Sequence, residues 1–226
     1  MISIVIPALN EESALPATLE SVAAQNGPLE AIVVDGGSDD ATVQIVRSFA
    51  ATGHRVRCVE APRGRARQMN FGAVVAGGDW LIFLHADTRL PPGAVDRVAG
   101  LPVKVHAGCF HQLFDTSSRF LRGLSFMHNQ RFRLTRVIYG DQALFIRRKL
   151  FDEIGGFPDR AMEDVAFSLE LRRRTRPIML PDTVLTGARK FEQMGSWRAL
   201  WHSVSLLVRF HRGADVSGDR FFGEYR

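Results

Sequence analysis

His85-Ala86-Asp87 sets an imidazole and a carboxylate two residues apart with only a small alanine between them, directly after the apolar run Trp80-Leu81-Ile82-Phe83-Leu84. Both side chains can turn toward one point, and both are ligands for divalent cations, the carboxylate oxygens suiting Mg²⁺ or Mn²⁺. An Asp after a strand is also a common turn or cap residue, so the pair alone leaves both roles open. Arg63-Gly64-Arg65-Ala66-Arg67-Gln68 places three arginines within five residues at a loop-to-helix junction. That pattern reads equally as a pyrophosphate cradle or as a solvated basic turn. Asp35 opens Asp35-Gly36-Gly37-Ser38-Asp39-Asp40, where two glycines allow close approach of a ligand to the backbone. Glu163 and Asp164 begin a helical pattern, a place where the helix dipole stabilises acids and where capping is the plain alternative to chemistry.

The elements that must position these groups alternate. Ile2–Ile6, Ala31–Val34, Val56–Val59 and Trp80–Leu84 are short β-rich or bulky apolar runs, too short for useful helices. Between them lie helical patterns. The first runs through Leu15, Leu19 and Val22 with Asn10 as its expected N-cap; the second spans Thr42–Phe49, and the third passes through Phe71, Val74 and Val75. Strand–helix alternation implies parallel βαβ units, and ligands of such sheets sit beyond the carboxyl ends of the strands. Leu101 to Arg136 is less regular, with Phe120, Leu124 and Met127 at helical spacing as an expected core face. Tyr139-Gly140-Asp141-Gln142 precedes the apolar run Ala143–Ile146, and Ile154-Gly155-Gly156-Phe157-Pro158 forms a tight turn.

Bulk properties narrow the class. A hydrophobic share of 46% over 226 residues supports a globular core and excludes disorder. The net charge is +5 with only three lysines, so nearly all the positive charge is arginine, whose fork of donors matches phosphate oxygens. Phosphorylated ligands, an anionic membrane or nucleic acid are the partners this balance suggests. Nucleic acid is disfavoured, because Arg131-Phe132-Arg133 alone interleaves too little aromatic surface with the arginines. Cys58 and Cys109 form no framework, which points to a reducing, cytoplasmic setting. The first residues already read as a strand rather than a signal peptide, and no apolar run approaches the ~20 residues needed to span a bilayer.

Taken in order, these pieces resemble the family 2 glycosyltransferases, of GT-A fold, over roughly residues 2–180. Ser3–Glu12, with Pro7, Asn10 and Glu11, is similar to the family's opening strand and loop, and Val34–Asp40 to its nucleotide-binding turn. His85-Ala86-Asp87 occupies the place of its Asp-x-Asp motif, while Gly156-Phe157 and Glu163-Asp164 look like its acceptor-side turn and acidic pair. The Gly64–Gln68 loop, His85–Thr88 and Gly140-Asp141-Gln142 resemble a bacterial subgroup associated with radical-SAM and selenium-related gene neighbourhoods.

The resemblance implies an α/β, Rossmann-like fold with a mixed, mostly parallel sheet flanked by helices. It implies inverting transfer of a sugar from a nucleotide-diphosphate donor to an unidentified hydroxyl, with Asp164 as base and Glu163 in support. Donor contacts would come from Pro7, Asn10, Glu11, Asp35, Arg65, Arg67, Gln68, His85, Ala86 and Asp87. Acceptor-side contacts would come from Gly140, Asp141, Gln142, Gly156 and Phe157. A divalent cation, Mg²⁺ or Mn²⁺, would sit on Asp87 with His85. Three departures stand out: His85 replaces the first Asp, Gly36 stands where Asp or Asn is common, and Met69-Asn70-Phe71-Gly72 lacks the family's arginine. A nucleotide-sugar-binding module without catalysis, and a nucleotidyltransferase, are the alternatives.

Residues 1–192 would then form the catalytic domain and 193–226 an amphipathic helix and tail. There Trp197, Leu200, Trp201, Val204, Leu207 and Val208 fall on one stripe with arginines beside it. Such a face can meet the inner surface of a membrane, bringing the protein to a lipid-linked acceptor, or dock on the sheet domain as core. Docking is the expectation.

Overall fold

Strand β1 (Ile2–Ala8) is almost wholly buried, as its mostly apolar run, interrupted by Ser3, demands of a strand covered on both faces. It pairs in parallel with β2 (Leu29–Asp35) and β4 (Trp80–Phe83), and β2 pairs in parallel with β3 (Val56–Glu60). The crossovers are α1 (Leu15–Ala23), α2 (Thr42–Ala51) and α3 (Arg65–Val75). The structure is a computed structural model and describes residues 1–214 together with Val216 and Asp219.

Beyond β4 the topology changes. A two-residue β5 (Thr88–Arg89) and α4 (Ala94–Ala99) lead to the long strand β6 (Ala107–Asp115), then α5 (Arg119–Thr135) and a 3-10 turn at Gly140–Gln142. Then come β7 (Phe145–Arg147), α6 (Arg148–Ile154), α7 (Glu163–Arg174), β8 (Ile178–Gly187), α8 (Arg189–Met194) and α9 (Ser196–His211). The single sheet has the order β3-β2-β1-β4-β7-β6-β8-β5. Strand β7 is antiparallel to both β4 and β6, whereas β6 and β8 run parallel. One face buries Ile4, Ile6, Leu19, Val46 and Phe110, and the other buries Val34, Met69, Phe83, Phe157 and Phe167.

Three expectations change. Asn10 does not cap α1, which starts at Leu15 with Pro16 in its first turn. Instead Asn10 takes a left-handed φ of 54°, accepts from the Asp39 N–H and donates its own N–H to Ser38, lacing the loops after β1 and β2 together. Asparagine tolerates that conformation, so local bonding outcompetes the cap. The segment expected to be irregular contains all of β6 and the 17 residues of α5. Met127 is 66% exposed, because the core face of α5 is carried by Leu121, Leu124, Ser125 and Phe132.

Arg148 closes the back of the sheet. Its guanidinium donates to the carbonyls of Ala73, Ala76 and Gly78 at 2.7–2.8 Å, capping the end of α3 where it turns into β4. Hydrogen bonds from a charged donor contribute more than neutral ones. Arg148→Met should therefore lower unfolding stability by about 2 kcal/mol. Urea titration should show a lower midpoint with an unchanged slope.

Candidate functional site

Pro7, Ala8, Leu9 and Glu11 from the β1 end, Arg65 and Gln68 from α3, and His85-Ala86-Asp87 from the β4 end line one cleft at the carboxyl edge of the sheet. Gln68 is its keystone. The buried amide donates to Ala8 O at 2.8 Å and to Val34 O at 2.7 Å, joining the ends of β1 and β2. A Cβ at residue 36 would stand 3.0 Å from that amide nitrogen, which explains glycine at the position where a larger residue is common. The Asp35 carboxylate turns into its own loop, accepting from the N–H groups of Gly37 and Ser38 and from the Ser38 hydroxyl. Arg65 reaches Glu163 at 3.4 Å, whereas Arg67 turns outward to Asp159 at 2.7 Å.

A second cleft adjoins the first. Met69, Phe83, Ile138, Tyr139, Gly140, Phe157, Asp164 and Ser168 line it, and His85 lines both. The His85 ring lies so close to Gly140 that any side chain there would overlap its Nε2. Asp164, on the first turn of α7, accepts the Gly140 N–H on Oδ2 at 2.7 Å and the Val165 N–H on Oδ1 at 2.7 Å. Its carboxylate thus ties the helix start to the 3-10 turn rather than serving as an N-cap, a position held by Met162. Asn70 grips the neighbouring turn, exchanging two 2.8 Å hydrogen bonds with the backbone of Phe157.

Asp87 is held from three directions. Thr18 of α1 donates to Ala86 O at 2.7 Å, Gly187 N donates to Asp87 O at 2.9 Å, and Thr88 and Thr186 share a 2.8 Å hydroxyl contact. Its Oδ2 lies 2.8 Å from where a Cβ on Gly187 would stand. His85 and Asp87 thus rest against the ends of different elements, the 3-10 turn and β8. Arg189, just past β8, donates to Glu11 at 2.7 Å and to Ser13 at 2.8 Å across the mouth of the cleft.

Charge is concentrated here. Burial pushes Asp87 above the ordinary carboxylate range against the pull of Arg65 and Arg189. Burial likewise raises Glu163, opposed by Arg65 and reinforced by Asp164, and raises Glu11 against Arg189. Burial and then the charge of Asp164 lift Asp141 to about 7, while burial and then Arg131 hold His128 at about 4. Carboxylates whose charged forms are disfavoured in the bare protein gain by meeting a cation. Asp87 offers a single hard oxygen ligand of the kind a divalent ion accepts, since Mg²⁺ commonly takes only one or two protein carboxylates. Among the described residues no three His, Cys, Asp or Glu side chains cluster closely enough to enclose a metal by themselves.

Of the residues singled out from sequence, the two clefts gather Pro7, Glu11, Arg65, Gln68, His85, Ala86, Asp87, Gly140, Phe157 and Asp164. Gln142 is buried behind them, its Oε1 accepting from Tyr139 N and from Arg131. Asn10, Asp35, Arg67, Asp141 and Gly156 do not line either cleft. Thr18, Asn70, Tyr139 and Arg189 went unpredicted as site residues. The partners of Thr18 and Arg189 lie 68 and 178 residues away, beyond any local spacing, whereas Asn70 sat in a motif match and Tyr139 beside Gly140 without drawing a role.

The family model described as Glycosyl transferase family 2 matches residues 3–157. A PGL/p-HBAD biosynthesis glycosyltransferase of Mycobacterium bovis is 36% identical over 167 residues, covering 70% of this chain and 63% of its own length. The chain therefore spans less than two thirds of that relative. Among solved structures, S. aureus TarS 1-349 in complex with UDP-GlcNAc superposes with a TM-score of 0.66 at 18% identity, covering 82% of this chain and 58% of that one. The mannosyltransferase PcManGT from Pyrobaculum calidifontis in complex with GDP-Man and Mn²⁺ gives 0.64 at 25% identity, covering 81% and 56%.

Asp141 supplies a pH signature of this site. Its carboxyl titrates near 7 when folded, against an ordinary 3.8, so the native state holds an extra proton between those values. Its contribution to stability is complete below the lower value and is lost as pH rises through the upper one. Urea midpoints at pH 5 and pH 8 should show Asp141→Asn losing less stability across the interval than the parent, by more than ~1 kcal/mol.

Proposed function

This chain belongs to glycosyl transferase family 2, and we propose that it transfers a sugar from a nucleotide-diphosphate donor to an acceptor hydroxyl with inversion at the anomeric carbon. The observation that carries this reading is the junction of two clefts at His85, with a carboxylate, Asp164, held beside it through Gly140. The named complexes of PcManGT with GDP-Man and of TarS with UDP-GlcNAc support a nucleotide sugar as donor.

In this reading the donor lies in the first cleft, its diphosphate toward Arg65 and Asp87 and its base over the turn built by Asp35. Asp87, with His85 alongside, would hold a divalent cation, whose chemistry when bound would be to neutralise charge on the leaving diphosphate. Arg65, shared with Glu163, adds a fixed donor to the same charge. The acceptor enters between Tyr139, Phe157 and Asp164. Its hydroxyl oxygen forms the new bond to the anomeric carbon while the bond to the diphosphate oxygen breaks with its electron pair. The hydroxyl proton passes to Asp164. A single displacement of this kind inverts the anomeric centre. Glu163, buried against Arg65, keeps that guanidinium aimed at the donor side. The hydrogen bonds from Gly140 and Val165 fix the rotamer of Asp164 and leave each oxygen a further lone pair.

Two variants test this. Asp164→Asn retains an oxygen for the Gly140 N–H, so it should fold normally and lower turnover by at least ~10² with the donor Kd within a few-fold. A variant that binds donor and transfers at the parental rate would remove Asp164 from the chemistry, and a parent without single-turnover transfer would make the chain a binding module. Asp87→Asn should abolish the Mn²⁺-dependent increment in thermal stabilisation by nucleotide sugars. An unchanged increment would remove the cation from Asp87.

A further inference from the structure

Helix α9 docks through a different face from the one its hydropathy suggests. Ala199 and Leu206 are fully buried, Leu200 packs against the Phe114, Leu121 and Leu124 cluster, and Leu206 packs with Ala161 and Val216. The tryptophan stripe is left outside: Trp197 is 66% and Trp201 72% exposed, with Val204 and Val208 also exposed. These four positions recur at i, i+4, i+7 and i+11, one face of the helix. The surface continues onto α5. Phe120 meets Trp197 with ring centroids 4.5 Å apart, and farther along α5 Met127, on the same face as Phe120, and Phe126 are exposed. Exposed aromatic and aliphatic side chains on two adjoining helices exceed what scattered surface apolar residues require.

Charge selects the occupant. Neither α5 nor α9 contains an Asp or Glu, and exposed arginines border the apolar stripe at Arg119, Arg122, Arg198 and Arg212. Of the neighbouring acids, Asp115 pairs with Arg89 and Asp219 with Arg209, while Glu192 accepts from the neutral Thr116 hydroxyl, which does not offset its charge. A second copy of the chain seated by a two-fold would oppose arginine to arginine, since such an interface pairs one patch with itself. An anionic surface complements both the arginines and the tryptophans, whose rings favour the headgroup layer. No helix among the described residues is long and apolar enough to cross a membrane, so the contact would lie in the interface.

We propose that the outer face of α9, continued by the adjoining surface of α5, docks on the interfacial layer of an anionic bilayer. Arg131 of α5 stacks 3.4 Å over the ring of Tyr139, a residue that lines the acceptor cleft. Docking through α5 and α9 therefore brings the Tyr139 side of that cleft toward the headgroup layer. A lipid-borne acceptor hydroxyl suits that geometry. The docking itself does not depend on the transferase reading, because it needs neither donor nor turnover.

The test is co-sedimentation of the full chain with vesicles of phosphatidylcholine and phosphatidylglycerol in equal parts, against pure phosphatidylcholine. Tryptophan emission is read in parallel, because the third tryptophan, Trp80, is buried at 3% exposure and contributes a background that vesicles do not change. The mixed vesicles should bind the protein and shift its emission to the blue. Binding should fall at least ~10-fold when salt rises from about 0.1 M to about 0.5 M. Trp197→Ser/Trp201→Ser should abolish binding with an unchanged urea midpoint, and Val74→Ser, an 80% exposed apolar residue on α3, should leave it intact. Parental protein that ignores anionic vesicles overturns the proposal, as does a double variant that still binds them. A dimer in solution that the double variant abolishes would make the face a contact between copies and would equally overturn it.

Discussion

The site depends on one reversed strand. Because β7 runs antiparallel to β4, with Ile82 paired to Phe145 and Trp80 to Arg147, the start of β7 lies at the end of β4. The residues just before β7, Gly140 to Gln142, are therefore forced beside those just after β4, His85 to Asp87. A parallel strand in the same slot would have carried that turn to the opposite edge of the sheet, away from the cleft. Phe83 N donating to Leu144 O at 2.8 Å extends this pairing to the lip of the site. The parallel pairing of β6 with β8 then returns the chain in the other sense, so that β8 ends at Gly187 against Asp87.

Around that junction the chain uses backbone contacts to hold charged groups it cannot solvate. The Gln68 amide clamps two strand ends, Thr18 holds the Ala86 carbonyl and Gly140 donates to Asp164. Acids outnumber the arginines that face them: Glu11, Asp87, Asp141, Glu163 and Asp164 stand near Arg65, Arg131 and Arg189. Burial of carboxylates without full pairing costs stability, and it is retained at sites where a cationic or proton-bearing ligand completes the charge balance. The two pairs, Arg65 with Glu163 and Arg189 with Glu11, tie together elements far apart in the chain around the cleft.

The outer surface follows a separate logic. Helix α9 spends its smallest residue, Ala199, and Leu206 on contact with the body of the protein, and turns its largest rings outward. Hydropathy alone favours the reverse, since the tryptophan stripe offers more apolar area to bury. The packing is decided by the partner surface, where Phe114, Leu121 and Leu124 receive Leu200, and Ala161 and Val216 receive Leu206.

By itself the sequence determined the parallel half of the sheet and the groups at its edge. Short apolar runs bounded by Gly, Pro and Asp allow little besides buried strands, and polar residues placed directly after such runs fall at their carboxyl ends. The position of His85 and Asp87 just past β4 was legible for that reason, whereas Asp164, in the first turn of a helix, was singled out by the motif resemblance that family membership now supports. Strands β6 and β8 were not, because polar residues such as Gln112, His111 and Asp182 interrupt their apolar patterns. Nor could spacing foretell that Asp35 would turn into its own loop, that Arg67 would face outward to Asp159, or that Arg189 would close on Glu11. Those outcomes rest on side-chain orientation and on contacts between residues far apart in the chain. Both are set by which strand reverses and which helix face finds room to pack, and neither quantity is written in local periodicity.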